Sequence, residues 1–179
     1  MPSIRDNRLR GDAERLAAID QSSELIDIRA LSGNPPDRYQ VVYSCRGIAK
    51  LERGAPVYSK RHELELVLPA GYPLSMPQLI FKSPIFHPNF HASDGRVCID
   101  QWFAAANLSD VVLMVGNMVR YANFNPQSPL NREAAIWASA NRSLFPTDVQ
   151  PWFRGDGHLT DLIEIDPARA SGDLVIELG

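Results

Sequence analysis

The chain has 179 residues, of which 45% are hydrophobic and 22% charged, and this composition indicates one globular domain with a substantial core. Its formal net charge of -3 argues against nucleic acid as the main partner, because phosphate binding usually requires a basic surface. No apolar run approaches the roughly 20 residues that span a bilayer, and the first residues lack the apolar core of a secretion signal. We therefore expect neither a nucleic-acid partner nor a membrane partner. The chain has only two cysteines, Cys45 and Cys98, which favours a reducing, cytoplasmic setting.

The chain begins with a predicted amphipathic helix at residues 4–22. Apolar residues recur along it at helical spacing: Leu9, Ala13, Leu16, Ala17 and Ile19. Arginines line the other side, and two interpretations stay open for them, a solvated face or a basic docking surface for an acidic partner protein. The candidates for partner binding on this helix are Arg5, Arg8 and Arg15.

An antiparallel sheet is predicted after this helix. Its strands lie at residues 24–31, 39–45, 62–68 and, as a short fourth strand, 78–82. The third strand alternates cleanly and places Leu64, Leu66 and Leu68 on one face. Turn signals rich in glycine and proline separate the strands at residues 32–36 and 53–56. The pattern therefore predicts a four-stranded antiparallel meander.

Residues 69–98 are expected to form a rigid, irregular shelf that ends in Cys98, because prolines fix φ and remove backbone donors. Two helices are predicted next. Ser109 is the expected N-cap of the first, which runs to about Tyr121. Asn131 is the expected cap of the second, at residues 132–144, and Pro146 ends it. A helix, then strands, then helices indicate an α+β domain with a segregated antiparallel sheet.

The last part of the chain is set apart by its acidic composition. We expect a domain at residues 1–146 and an acidic C-terminal extension at residues 147–179. Residues 159–165 and 173–178 have the pattern of two strands, so the extension is interpreted as a small hairpin or a partly disordered end.

The chemistry of Cys98 is open on residue types alone. A cysteine hydrolase with His87 or His91 as base is one interpretation, and a metal site from His87, His91, Asp94 and Cys98 is another, although it lacks the paired spacing of strong zinc motifs. A buried, inert thiol is the third. Cys45, at the end of an apolar strand, is interpreted as a small structural hydrophobe.

The stretch from Tyr72 to Asn89 resembles the central signature of the ubiquitin-conjugating enzymes, YPxxxPxxxFxxxIxHPN. The matching residues are Tyr72-Pro73, Pro77, Phe81, Ile85 and His87-Pro88-Asn89. Cys98 follows nine residues after Asn89, and Asp100 completes the apolar-Asp pair that this family places after its cysteine. Residues 126–134 resemble the downstream NPxxPLNxEA segment. The resemblance covers residues 5–145 and implies the UBC fold: an N-terminal helix, a four-stranded antiparallel meander, a catalytic-loop shelf and C-terminal helices.

The resemblance also implies an activity. It is that of a transferase that receives a ubiquitin-like protein from an activating enzyme as a thioester on Cys98 and passes it to an amine, usually a lysine, of a target protein. No cofactor is expected. Asn89 corresponds to an asparagine that either donates to the oxyanion or braces the loop over the cysteine, and His87 is expected to shape that loop. The alternative is a noncatalytic module of the same fold that binds ubiquitin-like proteins.

The chain departs from the family pattern downstream of the cysteine. Ser128 stands where many members carry an acid that assists the acceptor amine, so Ser128 is the candidate residue on the acceptor side. Residues 104–106 are alanines in place of the Ser-Pro-Ala turn that many ligases grip, which argues against a conventional RING-type ligase partner. Leu68 and Trp102, on either side of the shelf, complete the predicted partner contacts.

The basic residues are unevenly distributed between two types. Fifteen arginines against three lysines suit a high-GC bacterial genome. Divergent members of the family occur in bacterial operons, some of them antiphage systems, and we expect this setting.

Overall fold

The computed structural model describes residues 1–99, 101–147 and 150–153. The helices are α1 (Ile4–Ser22), α2 (Leu108–Val119) and α3 (Arg132–Ala140), followed by a short 3-10 helix (Arg142–Leu144). The strands are β1 (Ile26–Gly33), β2 (Pro36–Tyr43), β3 (Gly47–Glu52), β4 (Ala55–Ser59), β5 (His62–Val67) and β6 (Gln78–Phe81).

Helix α1 occupies the residues that its periodicity predicts. Ser3 caps it, because its Oγ accepts a hydrogen bond from the backbone N–H of Asp6 at 3.0 Å while the Asp6 carboxylate accepts one from the N–H of Ser3 at 3.1 Å. Leu9, Leu16 and Ile19 face the core as expected. Asp12 is buried in the same stripe, whereas Ala17 is exposed, so the stripe lies slightly off the predicted one.

Strands β1, β2, β5 and β6 form the predicted four-stranded sheet, and every neighbouring pair in it is antiparallel. Val41 lies opposite Leu64, and Leu64 lies opposite Phe81, so one apolar row crosses three strands on the inner face. The alternation in β5 and just beyond it buries Leu64, Leu66 and Leu68, as predicted. This face packs against α1 and α2 in the main core.

A second, two-stranded sheet was not predicted. Strands β3 and β4 form a hairpin around Arg53 and Gly54, which both have positive φ, 51° and 81°. Pro56, which we interpreted as a turn residue, lies in β4 opposite Leu51. Proline is tolerated there because a strand of a two-stranded sheet has a free edge.

The helical half corrects one predicted cap and confirms another. Helix α2 begins at Leu108 after the N-cap Asn107, so Ser109 is a buried helical residue and not the predicted cap. Asn131 caps α3 as expected, with its Oδ1 accepting a hydrogen bond from the N–H of Ala134 at 3.0 Å. Helix α3 ends at Ala140, four residues earlier than predicted, and the 3-10 helix occupies the remainder.

Residues 150–153 return to the domain. Trp152 lies against Tyr43 at a ring-centroid distance of 6.1 Å, and its Nε1 donates to Asn117 Oδ1 at 2.9 Å. The guanidinium of Arg120 stacks over the Trp152 ring at 3.3 Å. The two strands predicted in the acidic extension lie outside the described residues. Among the described helices, none combines the length and the apolar character that crossing a membrane requires.

Candidate active site

The shelf before Cys98 is anchored to helix α1 and to the loop after the cysteine. Tyr72 is buried, and its hydroxyl donates to the Asp12 carboxylate at 2.5 Å. Trp102 Nε1 donates to the Pro73 carbonyl at 2.8 Å, and its ring lies 5.7 Å from that of Tyr72. The two segments on either side of the cysteine are thus joined through Tyr72-Pro73.

A tight turn delivers the cysteine to the edge of the sheet. Gly95 has a φ of 72°, and its carbonyl accepts a hydrogen bond from the N–H of Phe81 at 2.8 Å. The N–H of Val97 then donates to Leu79 at 3.0 Å, so residues after the turn run along the edge of β6. Finally, the Cys98 N–H donates to the carbonyl of Asn89 at 2.9 Å. Cys98 is partly exposed at the end of this extended segment.

The two cysteines have different surroundings. Cys45 is buried in the main core, which confirms the predicted structural role. Burial raises the pKa of the Cys45 thiol, against a smaller opposing effect of Arg120. A buried thiol with a raised pKa is a poor nucleophile at neutral pH. Of the two, Cys98 is the one that solvent reaches.

His87 is a structural ring in this fold. It is fully buried between the rings of Phe90 and Tyr121, at centroid distances of 4.5 and 4.7 Å. Burial lowers the pKa of His87 to about 3, against a weaker opposing effect of the Asn123 backbone. Its Nδ1 accepts a hydrogen bond from the Asn89 N–H at 3.1 Å, so this nitrogen carries no proton. This environment fits the predicted shaping role and disfavours His87 as the base of a hydrolase.

Asn89 braces the loop that follows α2. Its Nδ2 donates to the carbonyl of Asn125 at 3.0 Å, and its Oδ1 accepts from the N–H of Asn125 at 2.8 Å. Asn89 is 2% exposed, and its two bonds to Asn125 are partly buried. The side-chain NH2 of Asn89 has two N–H groups, and only one of them donates to Asn125. The structure shows the contact with Asn125, while both the bracing role and the oxyanion role of Asn89 stay predictions.

The loop that carries Ser128 is fixed at both ends. Asn125 is held by Asn89, and the N–H groups of Leu130 and Asn131 both donate to the Pro88 carbonyl, at 2.9 and 3.0 Å. Ser128 lies between these anchors and is exposed. The loop thus presents Ser128 to solvent on a segment tied to the residues that hold the cysteine.

The remaining predicted site residues are placed differently. Asp100 lies outside the described residues. Leu68 is 2% exposed, because its side chain is part of the main core. The prediction that Leu68 contacts a partner is therefore wrong for its side chain. Trp102 is partly buried and holds Pro73. Its neighbour Phe103 is exposed, a position that the sequence did not single out.

The arginines of α1 divide into engaged and exposed residues. Arg8 pairs with Asp12 at 2.8 Å, and it donates to the carbonyls of Ala104, at 2.6 Å, and Ala106. Arg5 donates to the Leu68 carbonyl at 3.2 Å. These contacts attach α1 to the loops around the cysteine. Arg15 is more exposed and lies 3.6 Å from the Asp12 carboxylate.

The charge at the centre of this junction was not predicted from the sequence. Asp12 is fully buried at a position of the apolar stripe, where it meets Arg8 and the Tyr72 hydroxyl. A buried carboxylate requires such partners. The signal that would have found it is an acidic residue at a core-facing helical position, four residues after an arginine.

The metal interpretation gains no geometric support. Within residues 1–99, 101–147 and 150–153, no three or more His, Cys, Asp or Glu side chains are grouped to hold an ion. His91 pairs instead with Asp94 at 2.9 Å, and Asp94 also binds Arg96 at 2.8 Å.

Comparisons with known proteins agree with this geometry. Residues 38–153, more than half of the chain, match the family model described as ubiquitin-conjugating enzyme. The chain is 29% identical over 107 residues to ubiquitin-conjugating enzyme E2 T of Xenopus laevis, covering 55% of this chain and 54% of that protein. It is 30% identical over 101 residues to ubiquitin-conjugating enzyme E2 K of Homo sapiens, covering 54% and 50%. These matches span about half the length of the two relatives.

Solved structures show the same fold. The E2 domain of a Toxoplasma gondii ubiquitin-conjugating enzyme superposes with a TM-score of 0.54 at 23% identity, covering 79% of this chain and 94% of that one. A structure from Plasmodium yoelii gives a TM-score of 0.58 at 22% identity, covering 86% and 95%. The chain therefore belongs to the ubiquitin-conjugating enzyme family, and the predicted α+β UBC fold is confirmed.

Proposed function

We propose that this protein is a transferase that accepts a ubiquitin-like protein as a thioester on Cys98 and passes it to an amine, expected to be a lysine, of a target protein. The observation that carries the proposal is the position of Cys98. It is a partly exposed thiol at the end of an extended segment, with its N–H bonded to the Asn89 carbonyl within the family motif.

The proposed reaction has two acyl-transfer steps. In the first, the Cys98 thiolate attacks the thioester carbonyl on the activating enzyme, a new carbon–sulfur bond forms, and the cysteine thiolate of the activating enzyme leaves. In the second, the acceptor amine attacks the same carbonyl, loses a proton, and expels the Cys98 thiolate as an amide bond forms. Thioesters are reactive acyl donors, so positioning and oxyanion stabilisation are the main requirements of the protein.

The residues around Cys98 fit this requirement. Asn89 holds the Cys98 N–H through its carbonyl and the Asn125 backbone through its side chain. His87 is neutral and buried, so it contributes shape and a fixed backbone and does not take up a proton near pH 7. Ser128 provides a hydroxyl and no negative charge, and we propose that the acceptor amine loses its proton without help from a carboxylate at this position.

The partner surface that we propose lies around α1 and the loops joined to it. Arg8 and Arg5 mainly hold these loops in place, whereas Arg15 is more exposed and remains available for an acidic partner. Leu74 and Phe103, next in sequence to the bond between Trp102 and Pro73, expose apolar side chains. We propose that the activating enzyme contacts this end of the molecule. The bacterial operon setting stays a prediction.

A charging assay tests the proposal. The protein is incubated with ATP, ubiquitin and its activating enzyme, and intact mass is measured with and without a thiol reductant. We expect an adduct of ubiquitin minus water that the reductant removes, that is absent in Cys98→Ala, and that is retained in the matched control Cys45→Ala. An activating enzyme that is itself charged but transfers nothing to the wild-type chain would contradict the proposal.

The alternative is a noncatalytic module of the same fold that binds ubiquitin-like proteins. The specific observation in its favour is Ser128, which lacks the charge that assists many acceptor amines. This alternative predicts binding of ubiquitin that survives Cys98→Ala and no reductant-sensitive adduct.

A further inference from the structure

Tyr121 has an unusual backbone conformation at the end of α2. Its φ is 57°, in the left-handed region that bulky aromatic residues rarely adopt. Such a conformation is strained and persists where surrounding contacts hold it. The side chain of Tyr121 is 3% exposed, so these contacts lie inside the protein.

The contacts of Tyr121 converge on the segment that holds the cysteine. Its hydroxyl donates to the Phe86 carbonyl at 2.7 Å, and its ring meets that of His87 edge to face at 4.7 Å. On its other side the ring packs against Phe145 at 4.6 Å and Trp137 at 6.3 Å. The Tyr121 ring thus lies between the rings of Trp137 and Phe145 on one side and the backbone that leads into Asn89 on the other.

Tyr121 is the first of three attachments between residues 121–131 and residues 86–89. The other two are the contact of Asn125 with the Asn89 side chain and the bonds to the Pro88 carbonyl. Together the three attachments reach both sides of Asn89, whose carbonyl accepts the Cys98 N–H. A path of contacts therefore runs from the Phe86 carbonyl through residues 87–89 to the Cys98 N–H.

We infer that Tyr121 is a positioning residue for acyl transfer, which acts by holding Phe86 and His87 so that Asn89 fixes Cys98. This inference rests on the proposed function. It assigns to the tyrosine hydroxyl a role that the signature around the cysteine does not contain.

The test compares two variants that each lose one buried hydroxyl. Tyr121→Phe keeps the ring and removes the bond to Phe86. Tyr43→Phe is the matched control, because the hydroxyl of the fully buried Tyr43 donates to the Val112 carbonyl in α2 at 2.8 Å. Both changes should lower the melting temperature by similar amounts, since each removes one buried hydrogen bond.

The first readout is amide hydrogen exchange, which needs no activity. In Tyr121→Phe we expect the N–H groups of Cys98 and Asn89 to exchange about tenfold faster at pH 7, and in Tyr43→Phe we expect wild-type rates at both amides. Unchanged exchange in Tyr121→Phe would overturn the inference, whether or not the chain proves to be a transferase.

The second readout is discharge of the loaded thioester to free lysine over a range of lysine concentrations. We expect the maximal rate of Tyr121→Phe to fall about tenfold while the half-saturating lysine concentration is unchanged, and Tyr43→Phe to behave as wild type. Equal rates in Tyr121→Phe and wild type would overturn the inference, as would an equal loss in Tyr43→Phe. A wild-type chain that never loads would instead refute the proposed function, and the exchange rates would still decide the position of Tyr121.

Discussion

At the scale of single residues, the environment of His87 disfavours a role as an acid or a base. Its ring is buried between two aromatic rings, and its Nδ1 accepts a backbone N–H from the asparagine two positions later. The neutral form is therefore the one that the folded protein accommodates. Protonation would remove the acceptor and place a charge in an apolar environment.

This environment predicts a pH dependence of stability. The pKa of His87 is lowered from 6.5 to about 3, so between these values the unfolded chain binds a proton that the folded chain does not. Stability should therefore fall as the pH is lowered through this window, by up to about 1.4 kcal/mol per pH unit from this group. Burial also lowers the pKa of His62, which adds in the same direction.

Urea unfolding from about pH 7 down to about pH 5 measures this slope. In His87→Gln the slope should be shallower, because the group that titrates differently in the two states is gone. Equal slopes in wild type and His87→Gln would show that the histidine is not held neutral.

Asn89 allows its two roles to be separated. Asn89→Ala removes both contacts with the Asn125 backbone and leaves its partly buried N–H and carbonyl without these partners. If Asn89 braces the loop, the melting temperature should fall by about 4 °C or more. Discharge to lysine should slow about tenfold or more, while loading of Cys98 is largely kept. Calorimetry and single-turnover discharge measure the two effects. Slow discharge at an unchanged melting temperature would instead assign Asn89 to the oxyanion alone.

At the scale of elements, the turn before Cys98 depends on one glycine. A Cβ at Gly95 would lie 2.3 Å from the Phe81 carbonyl oxygen, and the φ of 72° is already unfavourable for other residues. The bond from the Phe81 N–H to the Gly95 carbonyl requires this close approach. The segment that ends in Cys98 can therefore lie along β6 because residue 95 is a glycine without a side chain.

Two glycine substitutions distinguish the clash from the conformational effect. Gly54 also has a positive φ, 81°, but a Cβ there would have no heavy atom within 4 Å. Gly54→Ala should lower the free energy of unfolding by about 1 kcal/mol. Gly95→Ala should lower it by more and also slow loading of Cys98, because the segment after the turn must move away from β6. Urea unfolding and the charging assay measure both. Equal effects of the two substitutions would contradict the role given to the turn.

At the scale of the whole molecule, residues 150–153 are part of the packed domain. Trp152 is held by Asn117 and Arg120, and its carbonyl accepts a hydrogen bond from the hydroxyl of Ser23 at 2.5 Å. A Cβ at Gly116 would lie 2.8 Å from the Trp152 ring, so helix α2 provides the space for it. The family match also reaches residue 153. The predicted boundary after residue 146 stays a prediction, although packing continues beyond it.

This packing predicts a loss of stability on truncation of the tryptophan. Trp152→Ala should destabilise the domain by about 3 kcal/mol, because it removes an aromatic ring packed against the main core together with a hydrogen bond. Phe103→Ala is the control, since Phe103 is 64% exposed and its removal should change stability little. The free energy of unfolding in urea measures both, and equal small losses would show that residues 150–153 do not support the fold.

The sequence predicts the parts of this molecule that have a regular period or an ordered motif. Helix α1 and the alternating β5 follow from periodicity, and the shelf follows from its prolines and the residues from Tyr72 to Cys98. The hairpin of β3 and β4 was missed because Pro56 was taken as a sign of a turn, whereas it lies in a strand with a free edge.

Contacts between distant segments could not be predicted in the same way. Asn89 and Asn125 are 36 residues apart, and Arg8 and Ala104 are 96 apart, and each pair involves a backbone group that has no signature in the sequence. Tyr121 is similar, because its ring contacts His87, Trp137 and Phe145, which are distant in sequence. Local patterns therefore located the cysteine and its motif, while the interactions that hold them required the structure.

A chase of the loaded protein tests most directly whether Cys98 transfers its cargo to an amine. Wild-type protein is charged with ubiquitin, activation is stopped, and free lysine is added while intact masses are followed. We expect the Cys98 thioester to disappear as ubiquitin gains the mass of lysine minus water, at a rate that rises with the lysine concentration. Loss of the thioester only by hydrolysis, at a rate that lysine does not change, would contradict it.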